Sequence, residues 1–256
     1  AYAADRIDVA LQPGLMVPVS ALNALRRAGI DAYEALSPQP VCARTETEPQ
    51  VPAGRRDERK TAVFYAPGQI TQTAADTFDL LFLPLFTAAD APMPSSLARQ
   101  AQKAGAVLPP VIPDSVRERV AEALRRAKGR GYTHLLVGNI GHLSLARESG
   151  MHLHGDYRFN VTNTESVARL EQLGIADTVA SPEMTLPQLR DLRGNTAAIV
   201  YGRIPLMTLE KCVIRTVADC AACGRGGVAL RDRKGVVFPL LREWEHRNLL
   251  LNSLPT

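Results

Sequence analysis

The chain has 256 residues, 46% of them hydrophobic, enough for one large globular domain or two small ones with a sizeable core. No apolar run reaches transmembrane length, since residues 79–86 are broken by Pro84, and residues 1–14 carry acidic groups without a continuous apolar stretch; neither a membrane span nor a signal peptide is visible, and a cytoplasmic location is expected. The net charge of +4 is carried mostly by arginine, which suits a phosphate-rich partner such as RNA and equally suits a genome rich in arginine codons.

Residues 17–27 read as a helix in which Ser20 serves as a cap, with Leu22, Leu25 and Ala28 on neighbouring turns. Residues 37–60, rich in Pro, Thr and Glu, read as a linker that contains Cys42. From Thr61 the pattern becomes short apolar runs at 61–66, 79–85, 106–112, 134–138, 157–161, 178–180 and 197–201. Amphipathic stretches at 115–128 and 164–173 alternate with them; the first places Val116, Val120, Ala123, Leu124 and Ala127 on one face. Such alternation implies parallel strands joined by crossover helices. With an eighth strand at 206–209, the expectation is an α/β fold, a (β/α)8 TIM-barrel-like domain over residues 61–210. An open doubly wound sheet would also collect its polar strand ends on one side, so the pattern supports a site there more firmly than it supports closure. Residues 211–256 then form a small C-terminal cysteine-containing hairpin subdomain, and residues 1–36, ahead of the linker, stand as a separate segment.

Three of the four cysteines, Cys212, Cys220 and Cys223, fall within twelve residues at C-x7-C-x2-C spacing. Thiolates bind zinc or iron–sulfur clusters, and a C-x2-C pair brings two sulfurs to one centre; Gly224, Gly226 and Gly227 give such a turn its freedom. Three neighbouring free thiols are the bland alternative. The segments 228–230 and 236–240 read as a hairpin around Asp232 and Gly235, a small lid over the cysteines.

Among the strand ends, Glu183 is the acid most expected at a barrel mouth, as a general base or as a helix N-terminal carboxylate. Arg203, after the Gly202 turn, can clamp a phosphate or carboxylate, or simply pair with Glu183. Asn139, Asp156, Asn160 and Asn163 suit recognition of a base edge or sugar hydroxyl, although asparagine is also a good turn residue. His152 and His154, flanked by glycines, read as a loop and not as a metal site. No G-x-S-x-G elbow occurs.

The runs YGRIPLM at 201–207, LRDRKG at 230–235 with FPL at 238–240, GDYRFNVTN at 155–163 and ASPEMTLPQL at 180–189 resemble the collagenase-like peptidases of family U32, in the branch that includes RNA-hydroxylating enzymes. The resemblance covers roughly residues 60–256, and the opening resembles the end of a domain found upstream in longer members, so a C-terminal piece of a longer protein is expected. It implies a catalytic set of Glu183, Arg203 and Tyr201, an RNA substrate (rRNA or tRNA) and a 4Fe–4S cluster. Where relatives place a fourth cysteine, this chain has His246, so the implied ligands are Cys212, Cys220, Cys223 and His246. By ligand chemistry alone a Cys3His set matches zinc better, and a degenerate site is the third possibility. The alternatives to a hydroxylase are a collagenase-like peptidase, after the family name, and a non-catalytic zinc-stabilised binding module.

Overall fold

A parallel strand covered on both faces must be apolar on both, and Leu80–Pro84 is the fullest case. In the computed structural model, which describes residues 14, 17–36, 58–217, 219–220 and 227–255, it is the second of seven parallel strands. These are β1 (Thr61–Val63), β2 (Leu80–Pro84), β3 (Ala104–Val107), β4 (His134–Val137), β5 (His152–Gly155), β6 (Ile175–Val179) and β7 (Thr196–Ala197), paired in chain order. A doubly wound sheet reverses its order at a switch point, and this sheet has none.

The placement of the helices decides the architecture. Leu81, Leu83, Ala104, Ala106, Leu135, Val137, Leu153 and Ile175 share one core with helix residues such as Ala88, Val120, Leu124, Leu145 and Val167. The alternate positions Leu80, Phe82 and Leu136 form a separate cluster with Val107 on the opposite face. Sequential order with helices on one face describes a curled parallel half-barrel, a TIM-barrel-like wall. Helix Arg117–Gly129 shows the cause: Val120, Ala123, Leu124 and Ala127 make a buried stripe, while Arg125 bridges Glu118 and Glu122 on the solvent side. Full burial contributes about 1.5–3 kcal/mol for each large aliphatic side chain, so the stripe fixes the helix to the sheet. On the inner face Gly105 lies opposite Phe82 across the β2–β3 register, and a Cβ there would sit 2.3 Å from the phenyl ring.

Three strand expectations are corrected. Residues 157–161 are not a strand: Tyr157–Phe159 is a 3-10 turn ended by Asn160 at φ 51°, and of this run Val161 alone makes a bridge, to Ala180. The strand is β5, the stretch read as a histidine loop, because His152 and His154 alternate with Leu153 and polar side chains on an inner barrel face hide the apolar signal. The run 197–201 retains strand character only at Thr196–Ala197, and Val200 and Tyr201 are 87% and 79% exposed. The expected eighth strand exists as β8 (Pro205–Leu209), but it is antiparallel and belongs to a second sheet.

That second sheet has the order β8-β11-β10-β9, with β9 (Ala229–Arg231), β10 (Val237–Arg242) and β11 (Asn248–Leu251). The β9–β10 hairpin turns on Asp232, whose carboxylate accepts from the Lys234 and Val236 N–H groups, and on Gly235 at φ 84°. The cysteine-bearing part of the expected subdomain is described only at Cys212 and Cys220; Cys223 and Cys42 lie outside the described residues. The chain divides into two compact units, Ala1–Glu48 and Pro49–Thr256. In the first, helix Val19–Leu36 buries none of its residues. Among the described residues no helix is long and apolar enough to cross a membrane.

Candidate functional site

The C-terminal ends of the parallel strands gather Tyr65, Phe86, Gly138, Asn139 and the segment 156–159 along one edge of the half-barrel. Asp156 directly follows β5 and is buried; it accepts from the Tyr157 N–H at 2.9 Å and from Arg158 Nη1 at 2.6 Å. Gly138, at the end of β4, makes room for this pair, since a Cβ there would lie 3.0 Å from Arg158 Cβ and 3.2 Å from Asp156 Oδ2. The Arg158 guanidinium also lies over the Tyr157 ring, 4.8 Å from its centre.

The second sheet reaches this edge through the turn Trp244–His246. Trp244 stacks on Phe86 with ring centres 4.8 Å apart, and Glu243 enters the field of Arg158, Tyr65 and Tyr157. Burial raises the Glu243 carboxyl above the ordinary carboxylate range against the pull of Arg158 and Arg247. Burial raises Asp156 likewise, opposed by Arg158 and by the Tyr157 N–H. Both tyrosines are raised by burial, so they stand as neutral phenols at physiological pH. Beside this group opens a cavity of ≈ 500 Å³ lined by Gly138, Asn139, Arg158, Ser166 and Arg169 with apolar neighbours.

The residues expected from the sequence are distributed unevenly around this edge. Asn139 lines the cavity, but its side chain also accepts from the Gly141 N–H at 2.9 Å and donates to the Pro110 carbonyl. Asn163 caps helix Thr164–Gln172 by accepting from the Ser166 N–H at 2.8 Å, and Asn160 is the exposed left-handed residue that ends the 3-10 turn. Glu183 is exposed, with its N–H on the Ser181 hydroxyl. Arg203 does not form the expected pair with Glu183: its Nη1 donates to the carbonyls of Asn252, at 2.8 Å, and Ser253, just beyond β11. Tyr201 is solvent-exposed.

The cysteine region is better assembled. Cys212, Cys220 and His246 line one cavity of ≈ 60 Å³ together with Arg242, Arg247 and Asn248. Two polar pins hold it. The buried Asn248 side chain accepts from the Val213 N–H, next to Cys212, at 2.9 Å and donates to the Arg247 carbonyl. Arg247 forks onto Glu210 at 2.6 and 2.7 Å, and that hydrogen bond holds the Glu210 carboxyl below its ordinary range. His246 takes φ 60°, a backbone region that a β-carbon disfavours, at the residue that faces the cysteine cavity. Among the described residues no three His, Cys, Asp or Glu side chains are grouped closely enough to hold a metal ion.

A second polar group was missed in the sequence reading. His134, His154 and Asp177 form a chain across β4, β5 and β6, with His134 Nδ1 2.9 Å from His154 Nε2 and His154 Nδ1 3.0 Å from the Asp177 carboxylate. The outer His134 nitrogen meets the Gln102 carbonyl at 3.0 Å, and Arg59 donates to Asp177 at 2.9 Å. A carbonyl and a carboxylate only accept, so His134 donates from its outer nitrogen and His154 donates from Nδ1. Burial, then the charge of His154, lowers His134 to about 4, consistent with its neutral form. Burial pushes Asp177 up, but the His154 and Arg59 contacts outweigh it and hold it below the ordinary carboxylate range. The alternation of His152, Leu153 and His154 was the available signal for this face. Arg158 stood in a quoted motif between two singled-out residues, whereas nothing local marks Glu243 or Tyr65.

Residues 95–227, just over half of the chain, match the model of peptidase family U32. A solved structure of the U32 peptidase Mk0906 is similar at 15% identity and a TM-score of 0.35, over 53% of this chain. The chain thus spans 63% of the length of that protein, less than two thirds. No curated protein matches significantly.

Proposed function

The chain belongs to peptidase family U32, and from that premise we propose that it is an RNA-modifying enzyme that hydroxylates a base of rRNA or tRNA at the strand-end edge of its half-barrel, served by an iron–sulfur centre in the second sheet. The observation that carries the reading is that Cys212, Cys220 and His246 line one cavity; the described residues do not by themselves stand close enough to hold a metal, so the reading requires a further ligand and a closer approach of these three. Soft donors of this kind suit an iron–sulfur cluster or zinc, and the resemblance implies Cys223, which lies outside the described residues, as the third thiol of a Cys3His set. The strained backbone at His246 fits the same role, because strain persists where the surroundings fix a residue for a purpose. When bound, a cluster supplies or takes up electrons.

The remaining work falls to the chain's own residues. Burial raises the Asp156 and Glu243 carboxyls above the ordinary carboxylate range, the direction that suits a group which exchanges protons with a substrate. Tyr65 and Tyr157 offer neutral phenol groups, and Asn139 brings an amide to the cavity wall for a base edge. Glu183, on the loop after β6, can take a proton from substrate. The turn Trp244–His246 joins both places, with Glu243 on the strand-end side and His246 on the cysteine side, so ordering the centre also orders Glu243.

A structural zinc is the second reading, favoured by the fourth donor being histidine. Metal and acid-labile sulfide content, with an absorption spectrum, is measured on protein purified without oxygen and on His246→Ala. The expected result is iron with sulfide, reduced in His246→Ala. Equimolar zinc would make the centre structural and leave a zinc-stabilised module, and protein without metal would overturn both readings and leave a degenerate site.

A further inference from the structure

We propose that the cavity at the ends of β4 and β5 is a phosphate subsite, with Arg158 and Arg169 as its two cations. This deepens the RNA reading, and rests on it only for the source of the phosphate. The two guanidiniums come from different elements, Arg158 from the turn after β5 and Arg169 from helix Thr164–Gln172, and both line the same ≈ 500 Å³ space. A planar carboxylate is satisfied by one guanidinium fork, whereas a tetrahedral phosphate offers oxygens to two cations that approach from separate directions.

The two arginines are prepared differently. Arg158 is immobilised, because Asp156 takes one of its N–H groups at 2.6 Å, the Tyr157 ring lies beneath it and the missing Gly138 side chain leaves it space. A guanidinium has five donors, so one bond to Asp156 leaves others for a ligand, and a preorganised donor loses little entropy on binding. Arg169 is exposed and donates at 3.2 Å to an uncharged partner, the Gln172 amide, which it can exchange for a phosphate oxygen at small cost. Asp156, which takes one N–H at 2.6 Å, and Glu243 are the acids that face Arg158. The Ser166 hydroxyl and the Asn139 amide add neutral polar groups, and Ile140 and Phe159 give the rim an apolar surface on which a sugar or base can rest.

The full chain is titrated calorimetrically with inorganic phosphate and with a uridine hexanucleotide that lacks terminal phosphates, for the parent and for Arg169→Gln. Arg169 is chosen because Arg158→Gln would strand the buried Asp156 and risk unfolding; an unchanged melting temperature verifies the fold. The expected result is about tenfold weaker binding of both ligands, as befits a charge-assisted bond, and a log K against log salt slope for the hexanucleotide shallower by about 0.7. Unchanged affinity for both ligands overturns the subsite. Loss for phosphate alone overturns RNA as its source and leaves a site for a free phosphomonoester. Competition by a peptide carboxylate as strong as that by phosphate overturns the phosphate assignment. Neither ligand needs the metal centre, so protein without metal still tests the clamp, and its failure is read apart from that of the hydroxylase reading.

Discussion

The two sheets are held together by different chemistry. The seven-stranded sheet buries large aliphatic side chains on its helix-covered face, so its order follows from apolar surface removed from water. The four-stranded sheet buries few large apolar residues, among them Leu240, Leu249 and Leu251, and exposes Leu206 and Met207 on its edge strand β8. Polar pins take over there: Arg247 on Glu210, Asn248 on Val213, Arg203 on the carbonyls beyond β11. A sheet built this way gains most from a bound ion, because a metal that binds the folded form alone stabilises it by mass action. The first sheet provides an edge, and the second brings Glu243 beside Arg158 there, while the cysteine cavity is lined by C-terminal residues alone.

Breaking the apolar side of this comparison has the largest expected effect. Phe82 is fully buried on the inner face against Gly105, and Phe82→Ala removes a whole ring from a site whose backbone cannot close the gap. A loss of about 3–5 kcal/mol in chemical denaturation is expected; a loss below about 1 kcal/mol would mean that the inner face is not close-packed.

Acid sharpens the comparison within the first sheet. The unfolded chain binds a proton at His134 near its ordinary 6.5, whereas the folded chain resists until about 4. The unfolded state therefore binds more protons in that window, and stability that is complete above it is lost as pH falls from about 6.5 towards 4. Asp177, depressed in the folded state, adds a contribution that is present above its unfolded value and disappears at lower pH still. Denaturation midpoints across this range are expected to fall less in His134→Gln than in the parent, and parallel pH profiles would refute the assignment.

The smallest effect is expected at Arg203. It is exposed and its partners are backbone carbonyls at the end of the second sheet, so Arg203→Ala costs about 1 kcal/mol or less. Hydrogen exchange at Asn252 and Ser253 reports the change; faster exchange spreading into the seven-stranded sheet would show that the two sheets do not differ as described.

Some of this was written in the residues themselves. The run from Leu80 to Pro84 and the stripe of Val120, Ala123, Leu124 and Ala127 carry their own periodicity, and so disclose a parallel strand and a crossover helix before any tertiary contact exists. The hairpin about Asp232 and Gly235 was legible because its turn chemistry is local. The family motifs were legible for the same reason: short runs keep their identity whatever surrounds them.

Position in space was not legible. His152 and His154 read as a loop because only the curl of the sheet gives them an inner face, and 197–201 reads as a strand of the barrel because an apolar run does not record which neighbours cover it. Pro205–Leu209 has the alternation of a strand, but the choice between a parallel and an antiparallel partner is made by whichever edge lies within hydrogen-bonding reach. The pairing of Arg203 with Asn252 and Ser253 instead of Glu183, and the arrival of Glu243 beside Arg158, join residues far apart in the chain. Sequence determined the elements and the donor atoms through local periodicity and chemistry; the tertiary structure alone decided which donors meet, because long-range contacts depend on the packing of every element between them.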